Sequence, residues 1–282
     1  MSIIKKFFLT SRYDKPHGIL LLFFPCIWGI SFNNHNITEL FFLCIIFLIG
    51  ASGMRALGCI WNDYNDKKFD IKVSRTKNRL IASNKVSKNE ILLFSIFNSF
   101  IGSIPLYFLP LNSILISFCV LPLIFTYPFM KRVTWWPQLW LGINFNWGVL
   151  VGYSILGQSV INIQIIIFYI GAILFTLGYD TVYGFQDIKD DKLIGLKSTS
   201  IKFEKKPKLF LFFTYLACFF LWLISLILFE KNIYILLLFL VSCLLLLIKV
   251  THTNYSSANS CYQTFKYNSY FAFLITIIFL IF

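Results

Sequence analysis

Seven of the twelve Asp and Glu residues in this 282-residue chain fall in two short clusters, an unusual concentration of charge in so apolar a sequence. The first cluster is Asn62-Asp63-Tyr64-Asn65-Asp66-Lys67-Lys68-Phe69-Asp70. The second is Tyr179-Asp180-Thr181-Val182-Tyr183-Gly184-Phe185-Gln186-Asp187-Ile188-Lys189-Asp190-Asp191. If the helices continue, Asn62, Asp66 and Asp70 share a face at i, i+4, i+8, and Asp180, Asp187 and Asp191 share one at i, i+7, i+11. Asp63 sits one residue off the first face and Asp190 well off the second. Carboxylates stacked on one face repel each other, and a hard divalent cation removes that penalty. Mg²⁺ prefers oxygen ligands and is typically held by one or two carboxylates together with substrate phosphates. Two such ions between two acid-rich helices would bind a diphosphate. His17, His35 and His252 are scattered, so no soft metal site competes with this reading.

Basic residues follow each cluster, as an anionic ligand requires. Arg75 and Arg79 lie in Ser74-Arg-Thr-Lys-Asn-Arg79, Lys197 lies in Gly195-Leu-Lys-Ser-Thr199, and Lys131 and Arg132 close the fourth apolar stretch. Arginine forks suit phosphate and carboxylate, while lysine acts as a point charge. Arg55 stands apart. It lies seven residues before Asn62, two helical turns deeper on nearly the same face, and a buried Arg needs an anionic partner or a water-filled cavity.

The elements that must position these side chains are membrane spans. The chain is 58% apolar and only 13% charged, where a soluble protein carries about a quarter charged residues. That excludes a soluble enzyme, a disordered protein and a secreted disulfide scaffold. Nine apolar stretches are expected to form helices, at roughly 17–33, 40–60, 91–109, 112–129, 137–156, 163–186, 209–229, 233–250 and 267–282. Helices are the only option for segments this long in lipid, because every backbone amide must be satisfied internally. The fold class is therefore all-α, a single polytopic domain over residues 1–282.

The net charge of +13 does not point to nucleic acid, because the basic residues sit in loops between apolar segments. Lys and Arg crowd the N-terminal arm, the 61–90 loop and the 187–208 loop, whereas the opposite loops hold Lys231 alone. The positive-inside rule then places the N-terminus and the large loops in the cytoplasm. The seven Cys form no C-x-x-C pair, so neither a disulfide framework nor a zinc site follows. The first fifteen residues look too short for an organelle transit peptide. A bacterial inner membrane is the expected location, ahead of the mitochondrial inner membrane.

The stretches Met54–Asp70, Ser74–Ser83, Tyr127–Arg132 with Pro137-Gln138, and Gly178–Thr199 resemble, in order, the UbiA family of intramembrane prenyltransferases. The resemblance is strongest to the branch acting on 4-hydroxybenzoate. It implies nine transmembrane helices around a central cavity capped by cytoplasmic loops. The N-D-x-x-D-x-x-x-D motif of that family falls on Asn62, Asp63, Asp66 and Asp70, and its D-x-x-x-D motif on Asp187 and Asp191. Both would bind a polyprenyl diphosphate through Mg²⁺. By the same resemblance Arg75, Arg79, Lys131 and Asn62 contact this substrate, and Arg55 holds the carboxylate of 4-hydroxybenzoate. Asp191 is the candidate to accept or relay a proton from the phenol. The expected reaction is prenylation of the ring carbon ortho to the hydroxyl, a step of ubiquinone biosynthesis. Another branch of the family with a different aromatic acceptor is the alternative, and an ion-coupled transporter is the alternative from another class. Against the transporter, the acids sit at helix ends rather than at a mid-bilayer helix break.

Overall fold

The computed structural model describes residues 1–33 and 35–281, and every regular element among them is a helix. In chain order these are α1 (Ile3–Thr10), α2 (Pro16–Ile30), α3 (Ile37–Asp70), α4 (Lys88–Ser103), α5 (Leu111–Cys119), α6 (Leu121–Val133) and α7 (Pro137–Tyr153). They continue as α8 (Ile163–Gly184), α9 (Ile188–Leu193), α10 (Thr199–Lys202), α11 (Pro207–Leu228), α12 (Ile233–Thr251) and α13 (Ala258–Ile281). Short 3₁₀ turns at Ile104–Tyr107 and Ser154–Leu156 extend α4 and α7.

Local chemistry sets the boundaries. Pro16, Pro137 and Pro207 open helices at the first position, where the missing N–H costs nothing. Ser87 and Glu90 form a reciprocal capping box at α4, and Asn36 and Asn162 cap α3 and α8. The apolar stretch 112–129 is two helices, α5 and α6, which meet at Val120 just before Pro122.

Among the described residues, seven helical segments are long and apolar enough to cross a membrane by length and composition. α2, at 15 residues, is shorter than that. α13 starts nine residues before the expected 267 and carries Asn259, Gln263 and Lys266 in its first half. The expected nine stretches all appear as helices, Phe282 lying outside the described residues, but length and apolarity support seven as spans. Large side chains such as Leu92, Ile96 and Phe100 on α4 and Leu237, Val241 and Leu244 on α12 are exposed. On a helix bundle of this composition they form the lipid-facing surface.

The core runs through α2, α7, α8 and α11, each packed on the next. Its centre is aromatic: Phe168 stacks on Trp222 at 5.1 Å and Trp28 meets Trp222 edge-on at 5.2 Å. The indole N–H groups donate to Thr276 Oγ1 and the Phe168 carbonyl. α2 and α7 approach closely because Gly148 and Gly152, four residues apart, face Cys26 across the contact, the small-residue device by which helices associate in lipid. A Cβ on Gly152 would press on the Cys26 carbonyl and lie 3.1 Å from the Ile30 nitrogen, both backbone and unable to rotate away. Gly152→Leu is expected to destabilise the protein by ~1–3 kcal/mol or more. Thermal denaturation in detergent checks this, and an unchanged midpoint would contradict it.

α3 carries the first acid cluster. Its 34 residues give a rod of about 51 Å against a hydrocarbon core of ~30 Å, so its acid-bearing end stands beyond the apolar layer. The basic loops gather at this same end. Ser74 N donates to Asp190 Oδ2 at 2.7 Å, and Lys197 N donates to the Lys131 carbonyl at 2.8 Å. Contacts from Asn33 to the Tyr153 carbonyl and from Lys231 to the Ser31 carbonyl tie the loops at the opposite end.

Candidate active site

A cavity of about 1000 Å³ opens at the charged end and runs inward between α2, α3, α6, α7, α8 and α13. Its mouth is lined by Arg12, Asn62, Asp70, Arg75, Arg79, Lys131, Asp187 and Asp191, and its depth by apolar groups such as Phe47, Leu106, Leu109 and Ile124. Arg55, Tyr127, Phe145, Tyr179 and Asp180 lie on its walls between the two.

The first acid cluster forms one wall. α3 continues through it, so the expected i, i+4, i+8 geometry of Asn62, Asp66 and Asp70 holds. Exposure to the cavity divides the motif differently. Asn62 and Asp70 line the cavity, whereas Asp63 and Asp66, expected as metal ligands, do not; all three acids are buried, at 4%, 0% and 7% exposure for Asp63, Asp66 and Asp70, and each is paired with a basic side chain. Asp63 accepts from Arg12 and, at 3.0 Å, from Arg79, which also reaches Asp70 at 2.9 Å. Asp66 pairs with Lys131 and with Arg132 at 3.3 Å. Buried charges must be paired, and here Asp63 and Asp66 hold the cations that edge the mouth.

The second cluster departs from the expected geometry. α8 ends at Gly184, a turn follows, and Asp187 becomes the N-cap position of the short α9. Asp180, Asp187 and Asp191 therefore do not share one continuous helical face. The segment that packs over the break is Gly195–Ser200. Ser200 Oγ donates to the Thr181 carbonyl at 2.7 Å, Thr199 Oγ1 bonds Thr181 Oγ1 at 2.6 Å, and Thr199 N donates to Gln138 Oε1 at 3.1 Å. A Cβ at Gly184 would strike Ser200 Oγ, so only glycine lets that strap lie on α8. The Lys197 ammonium, read as a candidate anion contact, donates instead to the Val133 carbonyl at 3.1 Å and anchors the loop to α6.

The turn brings Asp187 to Arg75. The guanidinium makes bonds of 2.8 and 3.0 Å to its carboxylate, donates to the Tyr183 hydroxyl at 2.8 Å and lies 5.0 Å from that ring. Asp191 has no ion pair or hydrogen bond from a side chain among the described residues. Burial, and next the charge of Asp187, push its carboxyl up to about 6, the mark of an acid short of positive charge.

No three His, Cys, Asp or Glu side chains converge on one point among the described residues. The cavity-lining oxygens stand instead on two opposed walls, Asn62 and Asp70 facing Asp187 and Asp191. That donor set suits a hard cation that takes one or two carboxylates from each side and completes its shell with phosphate and water. Asn62, Asp70, Asp187 and the charge-starved Asp191 thus fit Mg²⁺.

Arg55 is where its spacing places it, inside the cavity below Asn62. Its guanidinium lies 5.4 Å from the Phe145 ring and takes part in no hydrogen bond or ion pair among the described residues. Gly18 of α2 makes room for it, since a Cβ there would come within 2.8 Å of Arg55 Nε. The reading of the sequence missed Arg12, which pairs with Asp63, because a basic arm looks like an orientation signal. It also missed the α13 wall, where Tyr262, Phe265, Lys266 and Tyr270 line the cavity. A lysine just before an apolar stretch was the available signal there. The transporter alternative has no support in this geometry: α3 and α8 are unbroken through their apolar lengths.

Comparison with known proteins agrees with this geometry. Residues 22–276 match the UbiA prenyltransferase family. The chain is 41% identical over 212 residues to the mitochondrial 4-hydroxybenzoate polyprenyltransferase of Dictyostelium discoideum, covering 74% of this chain and 45% of that protein. It is 38% identical over 203 residues to the 4-hydroxybenzoate octaprenyltransferase of Marinomonas sp., covering 72% and 71%. The match spans about half the length of the mitochondrial relatives. Among solved structures, a UbiA homolog from Aeropyrum pernix superposes with a TM-score of 0.71 at 22% identity, over 93% of this chain and 95% of that one. A UbiA homolog from Archaeoglobus fulgidus bound to GPP and Mg²⁺ gives 0.71 at 17% identity, over 98% and 99%. These two share the fold. With the family match over most of its length, the chain belongs to the UbiA prenyltransferase family.

Proposed function

We propose that the chain transfers a polyprenyl group from a polyprenyl diphosphate to the ring carbon ortho to the hydroxyl of 4-hydroxybenzoate, a step of ubiquinone biosynthesis. One observation carries this reading. A single cavity joins a mouth of opposed acids and bases to an apolar interior, and Arg55 stands at the junction in no direct ion pair among the described residues, with Asp180 near it on the same wall. The names of the relatives from Dictyostelium and Marinomonas support the same acceptor.

The residues divide the work. Arg12, Arg75, Arg79 and Lys131 supply fixed positive charge where negative charge grows on the leaving diphosphate. Asn62, Asp70, Asp187 and Asp191 would hold Mg²⁺, which would supply further positive charge to that leaving group. The apolar wall of Phe47, Leu106, Leu109 and Ile124 takes the prenyl tail and keeps water from the allylic carbon. Arg55 pairs with the acceptor carboxylate and so fixes which ring carbon faces that centre. Asp191 is the carboxylate placed to accept the phenol proton. The ring then forms its new C–C bond as the allylic C–O bond breaks, and loss of the ring proton restores aromaticity. Purified protein in nanodiscs, given Mg²⁺, a polyprenyl diphosphate and a panel of hydroxylated aromatic acids, tests the assignment. Preferred turnover of 4-hydroxybenzoate is expected, and preference for another acceptor would overturn it.

The location that fits is a bacterial inner membrane, with the N-terminus and the cavity mouth in the cytoplasm, supported by the basic residues gathered at that end. Lys77→Cys, in an exposed mouth loop, is expected to resist an impermeant maleimide in intact cells, and Ser159→Cys, at the other end, to react. Labelling at 77 from outside would reverse the orientation.

A further inference from the structure

Gly58 is the glycine of α3 that the fold leaves unexplained. Gly50 and Gly53 lie where α3 crosses α4 and its 3₁₀ extension. A Cβ on Gly50 would come within 2.5 Å of Pro105 Cγ, and one on Gly53 within 2.6 Å of the Asn98 carbonyl. Gly58 has no such neighbour: a Cβ built on it meets nothing within 4 Å. It does not hold a positive φ either. A mid-helix glycine weakens a helix relative to alanine, so neither helix stability nor packing favours glycine here.

The bare backbone of Gly58 faces the cavity. It lies three residues after Arg55 and four before Asn62, so the three share one face, and about 5 Å of helix separates each from the next. Two further groups nearby await a ligand. The Arg55 guanidinium makes no hydrogen bond or direct ion pair among the described residues, Asp180 being near enough only for a through-space attraction. The Tyr179 hydroxyl, on a residue 2% exposed that lines the same cavity, makes no hydrogen bond of good geometry, with the Thr176 side chain close by, and Tyr179 is near enough to Arg55 and Asp180 to interact electrostatically. A buried polar group without a partner is costly. An aromatic acid satisfies all of these at once, with an anion for Arg55, an oxygen for Tyr179, and a flat ring that can lie on backbone only where no side chain projects.

We propose that Gly58 is the floor of the acceptor slot, and that its missing side chain admits the aromatic ring between Arg55 and the diphosphate-binding mouth, setting which acceptors fit. This rests on the reading that the acceptor is an aromatic acid. Gly58→Ala and Gly58→Leu test it in the full-length protein beside the wild type. Four quantities are measured: acceptor KM, prenyl diphosphate KM, equilibrium binding of 4-hydroxybenzoate alone, and the thermal midpoint. Displacing a ring by a methyl group's thickness is expected to weaken acceptor binding and raise its KM by about tenfold or more in the Ala variant. The Leu variant is expected to bind no 4-hydroxybenzoate. In the Ala variant prenyl diphosphate KM stays within about twofold and the midpoint does not fall, because the added carbon meets no protein atom. Unchanged acceptor binding in both variants would overturn the proposal. So would equal damage to both substrates, or a loss of stability that accounts for the defect. If the wild type binds a different aromatic acid instead, the 4-hydroxybenzoate reading fails alone, and the same variants measured with that acid decide the role of Gly58. If it binds no aromatic acid, both fail.

Discussion

Chelation by EDTA is expected to stop prenyl transfer completely, and added Mg²⁺ to restore it. The reason lies in the donors that line the mouth. Asn62, Asp70, Asp187 and Asp191 offer oxygen alone, on two facing walls, with Asp191 short of positive charge. The fixed cations nearby are largely committed: Arg79 spans Asp63 and Asp70, Lys131 holds Asp66, and Arg75 holds Asp187. A diphosphate entering this mouth adds negative charge where these side chains already balance the protein's own carboxylates, so a further cation must accompany it. Asp70→Asn and Asp187→Asn are each expected to lower kcat by about two to three orders of magnitude, the scale for losing a principal charge-stabilising group. Membrane insertion should persist, since both residues stand at the aqueous end. Full turnover in EDTA, or in either variant, would remove the two-walled cation site.

Arg55→Ala is expected to raise KM for the aromatic acid by about two to three orders of magnitude, matching the ~3–5 kcal/mol typical of removing one partner of a buried charge pair. KM for prenyl diphosphate should change little, because Arg55 lies two turns deeper than Asn62, about 10 Å along α3. Arg75→Ala should do the opposite, impairing use of the diphosphate or lowering kcat if its contact tightens as charge develops. An Arg55→Ala enzyme defective only towards prenyl diphosphate would assign Arg55 to the diphosphate and leave the acceptor without its anchor.

The chemistry was legible where it followed helical periodicity. Asn62 and Asp70 reach the cavity, and Arg55 sits below them, because α3 runs unbroken through the whole motif and the spacing alone sets the face. The second cluster was harder to read. The stop after Gly184 lies under Ser200, which packs on α8, a tertiary contact from sixteen residues downstream that local propensity does not encode. The burial of Asp63 and Asp66 was also hidden, since it requires Arg12, Arg79 and the Lys131-Arg132 pair to converge from three separate segments. A basic arm and a basic loop look alike in sequence whether they orient the chain or neutralise an active-site carboxylate. The membrane class needed no such detail. Runs of exposed Leu, Ile and Phe on α4, α11 and α12 are what a composition of 58% apolar residues requires. Helix ends were less certain, as α13 shows: its polar first half is helical because it closes the cavity, not because it is apolar.

The central claim is that one cavity brings a prenyl diphosphate and an aromatic acid together. The most direct measurement supplies the purified chain with Mg²⁺, a polyprenyl diphosphate and ring-labelled 4-hydroxybenzoate, and determines both the diphosphate released and the structure of the aromatic product. One diphosphate per product molecule, with the new C–C bond ortho to the hydroxyl, is the predicted result. Diphosphate release with no aromatic product, or a product substituted on oxygen or at another carbon, would contradict the account.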